Sequence, residues 1–310
     1  MAPRDFAAKS SFAELLQRLG SDFNLVQGVG GNASIKSKDR MIVKASGKRL
    51  GDASRSGFFH EVALAGDTAV DCLPSRGTRP SIETFLHALV PEKFVLHLHS
   101  TFGVALELLS RSNHDVAREL ESLGLCLIGY LRPGVDLGRG IKQRLPRCKD
   151  QDFLLANHGT LFRANSVSHL EDKVSIFEEF ARSIFGPALA SQLISPDWGM
   201  APLTAGQRQK ASWHADHNWR ITPDHCVFLG SEPAPQVLNV LAGAKNADSV
   251  LGFEPPDSSS GYTARGEQLG WFFNVSQLLP FEKYAMLTED EALFLGGWDL
   301  EQYRVGGDQT

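Results

Sequence analysis

Three histidines at the ends of two apolar runs constrain this chain more than any other feature. Phe94-Val95-Leu96-His97-Leu98-His99 carries two of them, and Phe153-Leu154-Leu155-Ala156-Asn157-His158-Gly159 carries the third. If the first run is a strand, His97 and His99 point to one face, because side chains alternate with period two. A neighbouring strand that exits at His158 then completes a set of imidazoles. Three neutral imidazoles hold Zn²⁺ or a similar ion and leave positions open for substrate, the arrangement of a catalytic rather than a structural site. Mn²⁺, Co²⁺ and Fe²⁺ suit the same donors. Taken alone, the His97-x-His99 pair also fits buried core histidines, and His158 fits a hydrogen-bonded residue in a turn. The two runs together favour the metal.

The rest of the chain is ordinary for a soluble globular protein, with 42% apolar and 22% charged residues in 310. A formal charge of −5 leaves no electrostatic footprint for nucleic acid or an anionic membrane. No apolar stretch approaches the roughly 20 residues of a spanning helix. The opening residues lack the apolar core of a secretion signal, so the expected compartment is the cytoplasm. Cys72, Cys126, Cys148 and Cys226 are widely spaced. They read as four reduced thiols, neither a disulfide frame nor a thiolate metal site.

The order of elements indicates an α/β or α+β layered fold. Residues 11–20 have helical spacing, with Gly20 as a stop. The glycine-rich turn Gln27–Ser34 leads into short strands around Ile35-Lys36 and Met41–Lys44, joined by a polar turn at 37–40. Ile82–Val90 reads as a helix, with Ser81 as its N-cap and Pro91 as its end. Further strands are expected at 94–99, 125–128 and 153–156, and helices at 101–109 and 167–185. Residues 186–215 turn rich in Pro, Gly and Ser, which suggests one domain over 1–200 and a C-terminal α/β extension over 201–310. That extension is expected to hold short strands at 226–229 and 286–287, a helix at 290–295, and a loop at 255–261.

Other residues admit both a structural and a chemical reading. Glu83 falls in the first turn of a helix, where the dipole and free N–H groups favour a carboxylate for structural reasons alone. It is also placed to act as a general base beside a metal-bound carbonyl. His87, on the same helix, reads as packing. Gly28, Gly30 and Gly31 do not match G-x-G-x-x-G, so a dinucleotide is not indicated. Such a turn, next to Asn32 and Ser34, can still hold an anion through backbone N–H groups, with Ser46-Gly47-Lys48 and Ser81 contributing. Tyr130, before the Arg132-Pro133-Gly134 turn, is either a half-buried strand-end phenol or a proton donor.

Six motifs in one order resemble the class II aldolase/adducin family, typified by fuculose-phosphate and rhamnulose-phosphate aldolases. They are Gly30-Gly31-Asn32-Ala33-Ser34, Lys44-Ala45-Ser46-Gly47, Pro80-Ser81-Ile82-Glu83, His97-Leu98-His99, Gly129-Tyr130 and Asn157-His158-Gly159. The resemblance covers about residues 10–190. It implies a three-layer fold whose central sheet is mainly antiparallel and carries a zinc site at its rim. His97, His99 and His158 fall on the family's zinc ligands and Glu83 on its catalytic carboxylate. Asn32, Ser46, Gly47 and Ser81 fall on residues that hold the substrate phosphate. Tyr130 falls on a tyrosine that serves a neighbouring subunit's site, so a homotetramer is implied. The family often has a second serine where this chain has Ile82, and Lys48 is the candidate to compensate.

The resemblance therefore implies a metal-dependent aldolase that cleaves a ketose phosphate or related hydroxy-keto compound. The metal would stabilise an enediolate, Glu83 would move the proton at carbon, and Tyr130 would act at the aldehyde-derived oxygen. Sugar-phosphate 4-epimerases, dehydratases and keto-acid decarboxylases are alternatives on the same scaffold. An adducin-like binding module is a further one, disfavoured by the complete histidine set. The C-terminal residues, including Thr222-Pro223-Asp224-His225 and Trp298–Arg304, carry no assignable chemistry in the sequence, and His225 reads as structural.

Overall fold

The computed structural model describes residues 3–65, 69–72, 78–194, 202–230, 232–233, 235–252 and 264–297. The expected loop at 255–261 and the segment 298–304 lie outside them. The first two-thirds supply eight strands: β1 (Asn32–Ser37), β2 (Arg40–Lys44), β3 (Phe59–Ala65), β4 (Ala69–Cys72), β5 (Phe94–Leu98), β6 (Leu125–Ile128), β7 (Asp152–Leu155) and β8 (Gly159–Ala164). They form one sheet in the order β4-β3-β2-β1-β5-β8-β7-β6. Every neighbouring pair is antiparallel except β6 with β7. Around it lie α1 (Pro3–Gly20), α2 (Thr84–Leu89), α3 (Thr101–Ser110), α4 (His114–Ser122), α5 (Val135–Arg144), α6 (Val167–Phe185) and α7 (Pro187–Ala190). The β1–β2 hairpin turns on Lys38-Asp39, with Lys38 at φ 54°, the backbone sign that two-residue hairpins require.

The period-two rule sorts the core into two layers. Phe94, Leu96 and Leu98 of β5 join Leu154 of β7 and Phe162 of β8 beneath α1, α3 and α6. Val95, Phe153, Leu155 and Leu161 face the other way, onto Leu86 and Val90 at α2 and Leu137 and Ile141 of α5. The result is helix, sheet, helix: the expected three layers around a mainly antiparallel sheet. His97 shares the parity of Val95, so it projects toward α2, the helix that Glu83 introduces.

The C-terminal third departs from expectation. Its described residues are α8 (Ala205–Asn218), α9 (Pro223–Leu229), α10 (Pro235–Gly243), α11 (Ala247–Leu251), α12 (Ala264–Leu278) and α13 (Glu289–Gly297), with no strand among them. The strand expected at 226–229 is helical, because Thr222 caps α9 by accepting from the His225 N–H at 3.3 Å and Pro223 opens its first turn. Residues 286–287 belong to no strand of the sheet. The helices also share one core with the sheet: Trp271, Phe272, Phe273 and Leu279 are buried in the same cluster as Phe12, Leu96 and Phe102. The described C-terminal helices thus differ in architecture from the sheet but pack into its core. No helix among the described residues is long and apolar enough to cross a membrane.

The cysteine reading is corrected as well. Parallel pairing of β6 with β7 brings Cys126 beside Cys148, in the turn before β7, and the two form a disulfide with Cα atoms 6.1 Å apart. Cys226 is free and buried, and burial pushes its thiol up to about 12. Cys72 lies in β4, and its side chain is outside the described set.

Glu178 of α6 is buried and accepts a 2.6 Å hydrogen bond from the Ser100 hydroxyl. Burial raises its pKa from 4.5 to about 7, against the opposing pull of that bond and of Arg182. Its folded-state value is raised, so its contribution to stability is complete below about 4.5 and is lost as pH rises through about 7. Urea midpoints measured at pH 5 and pH 8 should therefore differ less in Glu178→Gln than in the native chain. Equal differences in the two proteins would refute this.

Candidate metal centre

Two strand ends and one helix start converge on a single point. His97 is the fourth residue of β5, paired with Asn32 of β1 and Leu161 of β8, and is fully buried. His99 follows that strand by one residue, just before Ser100 caps α3 by accepting from Gly103 N–H. His158 sits in the three-residue turn between β7 and β8. Their ring centroids lie 4.7–5.4 Å apart. One ligating atom from each falls within 4.8 Å of the others, the one such cluster of three found among the described residues.

The protonation of these rings argues for a cation. His97 Nδ1 donates to the Thr160 carbonyl at 2.9 Å, which leaves a lone pair on Nε2 in the neutral ring. Burial lowers the His97 pKa, although the Glu83 carboxylate pulls it the other way, so the neutral form is favoured. His99 Nε2 faces that lone pair at 3.1 Å. On its other side, His99 Nδ1 stands 3.1 Å from Asp224 Oδ2, an ion-pair approach rather than an aligned hydrogen bond. A carboxylate there favours the proton on Nδ1, which turns a second lone pair toward the first. Two facing lone pairs repel unless a proton or metal ion lies between them.

Glu83 points at the same place. Its Oε1 lies 3.6 Å from His97 Nε2 and 3.5 Å from His158 Nε2, and it is buried without a hydrogen-bond partner. An anionic oxygen so placed is costly without a nearby cation. Three imidazoles and an orphaned carboxylate oxygen therefore fit a divalent ion well.

Glycines and an asparagine hold this geometry. A Cβ on Gly159 would stand 2.2 Å from the Leu98 carbonyl oxygen, so only glycine lets the His158 turn lie against β5. Asn157 adopts φ 55°, a conformation that costs ordinary L-residues about 1–2 kcal/mol and asparagine less. Its amide donates to Ile221 O at 2.8 Å, its carbonyl accepts from Arg111 at 2.6 Å, and its backbone N–H donates to Glu107 at 3.1 Å. At about 0.5–1.5 kcal/mol each, these bonds outweigh the strain.

The expected anion pocket is partly assembled. Ser46, Gly47 and Ser81 line a cleft beside Glu83, His99 and His158, and Ile82 lines it where the family often has serine. Asn32 is next to that cleft, its amide donating to the Ser81 hydroxyl. Lys48 is not on it: its side chain is exposed, and its carbonyl instead accepts from the Lys44 ammonium. Lys44 lines the cleft and also donates to Val29 O at 2.9 Å. The cation at this cleft is Lys44, the buried last residue of β2. The glycine-rich turn does hold a carboxylate, but the chain's own: Gly28 N–H donates to Glu267 of α12.

Tyr130 is the clearest displacement. It packs against Cys226, Leu287, Ala292 and Leu295 of its own chain, and its hydroxyl is buried without a partner. Burial and the nearby Glu291 raise its pKa. Pro133 is the residue of that turn that reaches the cleft.

A sequence profile of the Class II Aldolase and Adducin N-terminal domain matches residues 10–185. The chain belongs to that family. Its members are typically metal-dependent lyases. The 3-oxo-tetronate 4-phosphate decarboxylase of Escherichia coli (strain K12) is 29% identical over 222 residues, which span 66% of this chain and 96% of that enzyme. Among solved structures, the N-terminal class II aldolase domain of a conserved protein from Thermoplasma acidophilum is 26% identical at a TM-score of 0.43, covering 56% of this chain and 92% of its own. An L-fuculose 1-phosphate aldolase is 20% identical at a TM-score of 0.46, covering 64% and 93%. Asp224 and the helices around it lie beyond the matched residues.

Gly30 offers a test of the centre. A Cβ there would stand 2.8 Å from His99 Nδ1 and 2.9 Å from the Gln27 carbonyl oxygen. Gly30→Ala should push the His99 ring aside and weaken divalent-metal binding at least about tenfold in calorimetric titration, with the protein still folded. Unchanged affinity would show that this ring does not hold the ion.

Proposed function

We propose that this chain is a metal-dependent carbon–carbon lyase that decarboxylates a small phosphorylated 3-oxo sugar acid. The observation that carries the lyase reading is the approach of His97 Nε2 to His99 Nε2 at 3.1 Å beside the orphaned Glu83 oxygen. A divalent ion held by His97, His99 and His158, zinc by donor preference, supplies Lewis-acid polarisation of a keto oxygen.

The chain's own residues supply the rest. Ser46, Gly47 and Ser81, with Asn32 behind them and Lys44 as the nearby charge, bind the phosphate end. Loss of CO₂ from a 3-oxo acid breaks the C1–C2 bond and leaves its electron pair on C2, conjugated with the C3 ketone. Glu83, buried at the mouth of the trio, delivers a proton to C2 and completes a hydroxyketone phosphate. Water is kept from that carbon by Ile82, Pro133 and Pro223 along the cleft.

Decarboxylation is preferred to aldol cleavage for a specific reason. Aldol cleavage needs a group that takes the proton from the hydroxyl oxygen that becomes the aldehyde, the role expected of Tyr130. This chain's own Tyr130 packs under α13, away from the cleft. Departing CO₂ needs no such group. The likeness to a decarboxylase over most of that enzyme's length supports the same choice.

Incubation of metal-replete protein with ¹³C1-labelled phosphorylated 3-oxo acid should release labelled CO₂ and a hydroxyketone phosphate. Two fragments from a ketose phosphate, without CO₂ from the acid, would instead establish the aldolase. Glu83→Gln should retain the metal while turnover falls about 10²–10⁴-fold. Near-native turnover in that variant would remove Glu83 from the chemistry.

A further inference from the structure

Helix α9 lies outside the span that matches the family, yet it delivers a buried carboxylate to the metal trio. Asp224 is 3% exposed, and its Oδ2 lies 3.1 Å from His99 Nδ1. On the ring's flank, Trp271 of α12 stacks on His99 with centroids 5.5 Å apart and planes 10° from parallel. His225, the next residue of α9, packs on the other side of the group against Trp271 at 4.8 Å. Gly30 closes the remaining direction, since even a methyl group there would meet both His99 Nδ1 and Asp224 Oδ2. The His99 ring is thus fixed in plane by an aromatic face and in orientation by a carboxylate, both from the C-terminal helices.

We propose that Asp224 is a positioning residue for the metal centre. Resting on the reading that the trio holds a divalent ion, it assigns Asp224 to keep the His99 proton on Nδ1, so that Nε2 presents its lone pair to the ion. The two nitrogens of one imidazole diverge, so a carboxylate at Nδ1 is not itself placed to ligate at Nε2. A carboxylate accepts only, and therefore specifies one tautomer. An amide in the same place can turn its NH₂ toward Nδ1, which moves the ring proton to Nε2 and blocks the metal. Carboxylates behind ligating histidines typically govern about 10–100-fold in metal affinity.

Other contacts make the C-terminal helices part of the same device. Glu267 of α12 accepts from Gly28 N–H and pairs with Arg49 at 2.7 Å, holding the turn that carries Gly30. The Ile221 and Ala285 carbonyls accept from Asn157 and Arg111, holding the turn that carries His158. Asp224, however, stands directly at a ring nitrogen of the trio.

The test uses the full chain and Zn²⁺ or Co²⁺ in competition with a chromophoric chelator. Asp224→Asn should bind Zn²⁺ about 10–100-fold more weakly than the native chain and alter the visible spectrum of bound Co²⁺. The metal-free proteins should melt alike, and Asp224→Glu should recover part of the affinity. Equal Zn²⁺ affinity and equal Co²⁺ spectra in native protein and Asp224→Asn would overturn the proposal. A native protein that binds neither ion would sink the metal-centre reading itself, a distinguishable failure. Should Asp224→Asn not fold, ¹⁵N spectra of histidine-labelled, Zn²⁺-loaded native protein decide: the proposal requires His99 protonated at Nδ1 and metallated at Nε2, and the reverse assignment refutes it.

Discussion

Unshared electron pairs on two buried imidazoles, aimed at each other from consecutive same-face positions, are the constraint around which this molecule is arranged. His97 Nε2 and His99 Nε2 stand 3.1 Å apart, and with both outer nitrogens protonated they turn two lone pairs to one point, which suits a cation. Much of the surrounding structure keeps them there. The Thr160 carbonyl fixes one ring, and Gly159 allows the strand that carries Thr160 to lie close enough to do so. The glycine turn at 28–31 leaves room for the other ring. In an interior this dry, electrostatic demands of that kind decide which ligand the site accepts.

Layering explains why the site lies where it does. β5 is central in the sheet, so its end is surrounded by β1, β8 and the helices entered from β5 and from the segment before it. Side chains at that end are buried by neighbours without being filled over, which yields a small polar cleft rather than a cavity. The C-terminal helices cover one side of it. They bury Trp271 and supply Asp224, so the fold encloses the centre with residues that come from more than 120 positions further along the chain than His99.

The metal trio and the sheet around it were legible because their signals are local. Alternation at 94–99 gave the shared face, and Leu154 and Leu155 before Asn157-His158-Gly159 gave the second strand. The C-terminal helices were not legible for a physical reason. In α12, Leu269, Trp271, Phe272, Phe273 and Val275 are all fully buried together with Gln268 and Asn274, so no amphipathic period marks it. The start of α9 did carry a signal: Thr222, Pro223 and Asp224 are a cap, a first-turn proline and a first-turn acid. Its partner, His99, is remote in sequence, and nothing local joins them. Lys44 and Lys48 flank the same loop, and what separates them, the burial of Lys44 against the exposure of Lys48, has no local sequence signal. The packing of Tyr130 was not legible because the helix it packs against, α13, is distant in the chain.

X-ray absorption at the zinc edge, on protein loaded with one equivalent of Zn²⁺, addresses the central claim most directly. The account predicts a coordination sphere with imidazole scattering from about three histidines and oxygen in the remaining positions. A sphere with one imidazole or none, or thiolate sulfur in its place, would contradict it.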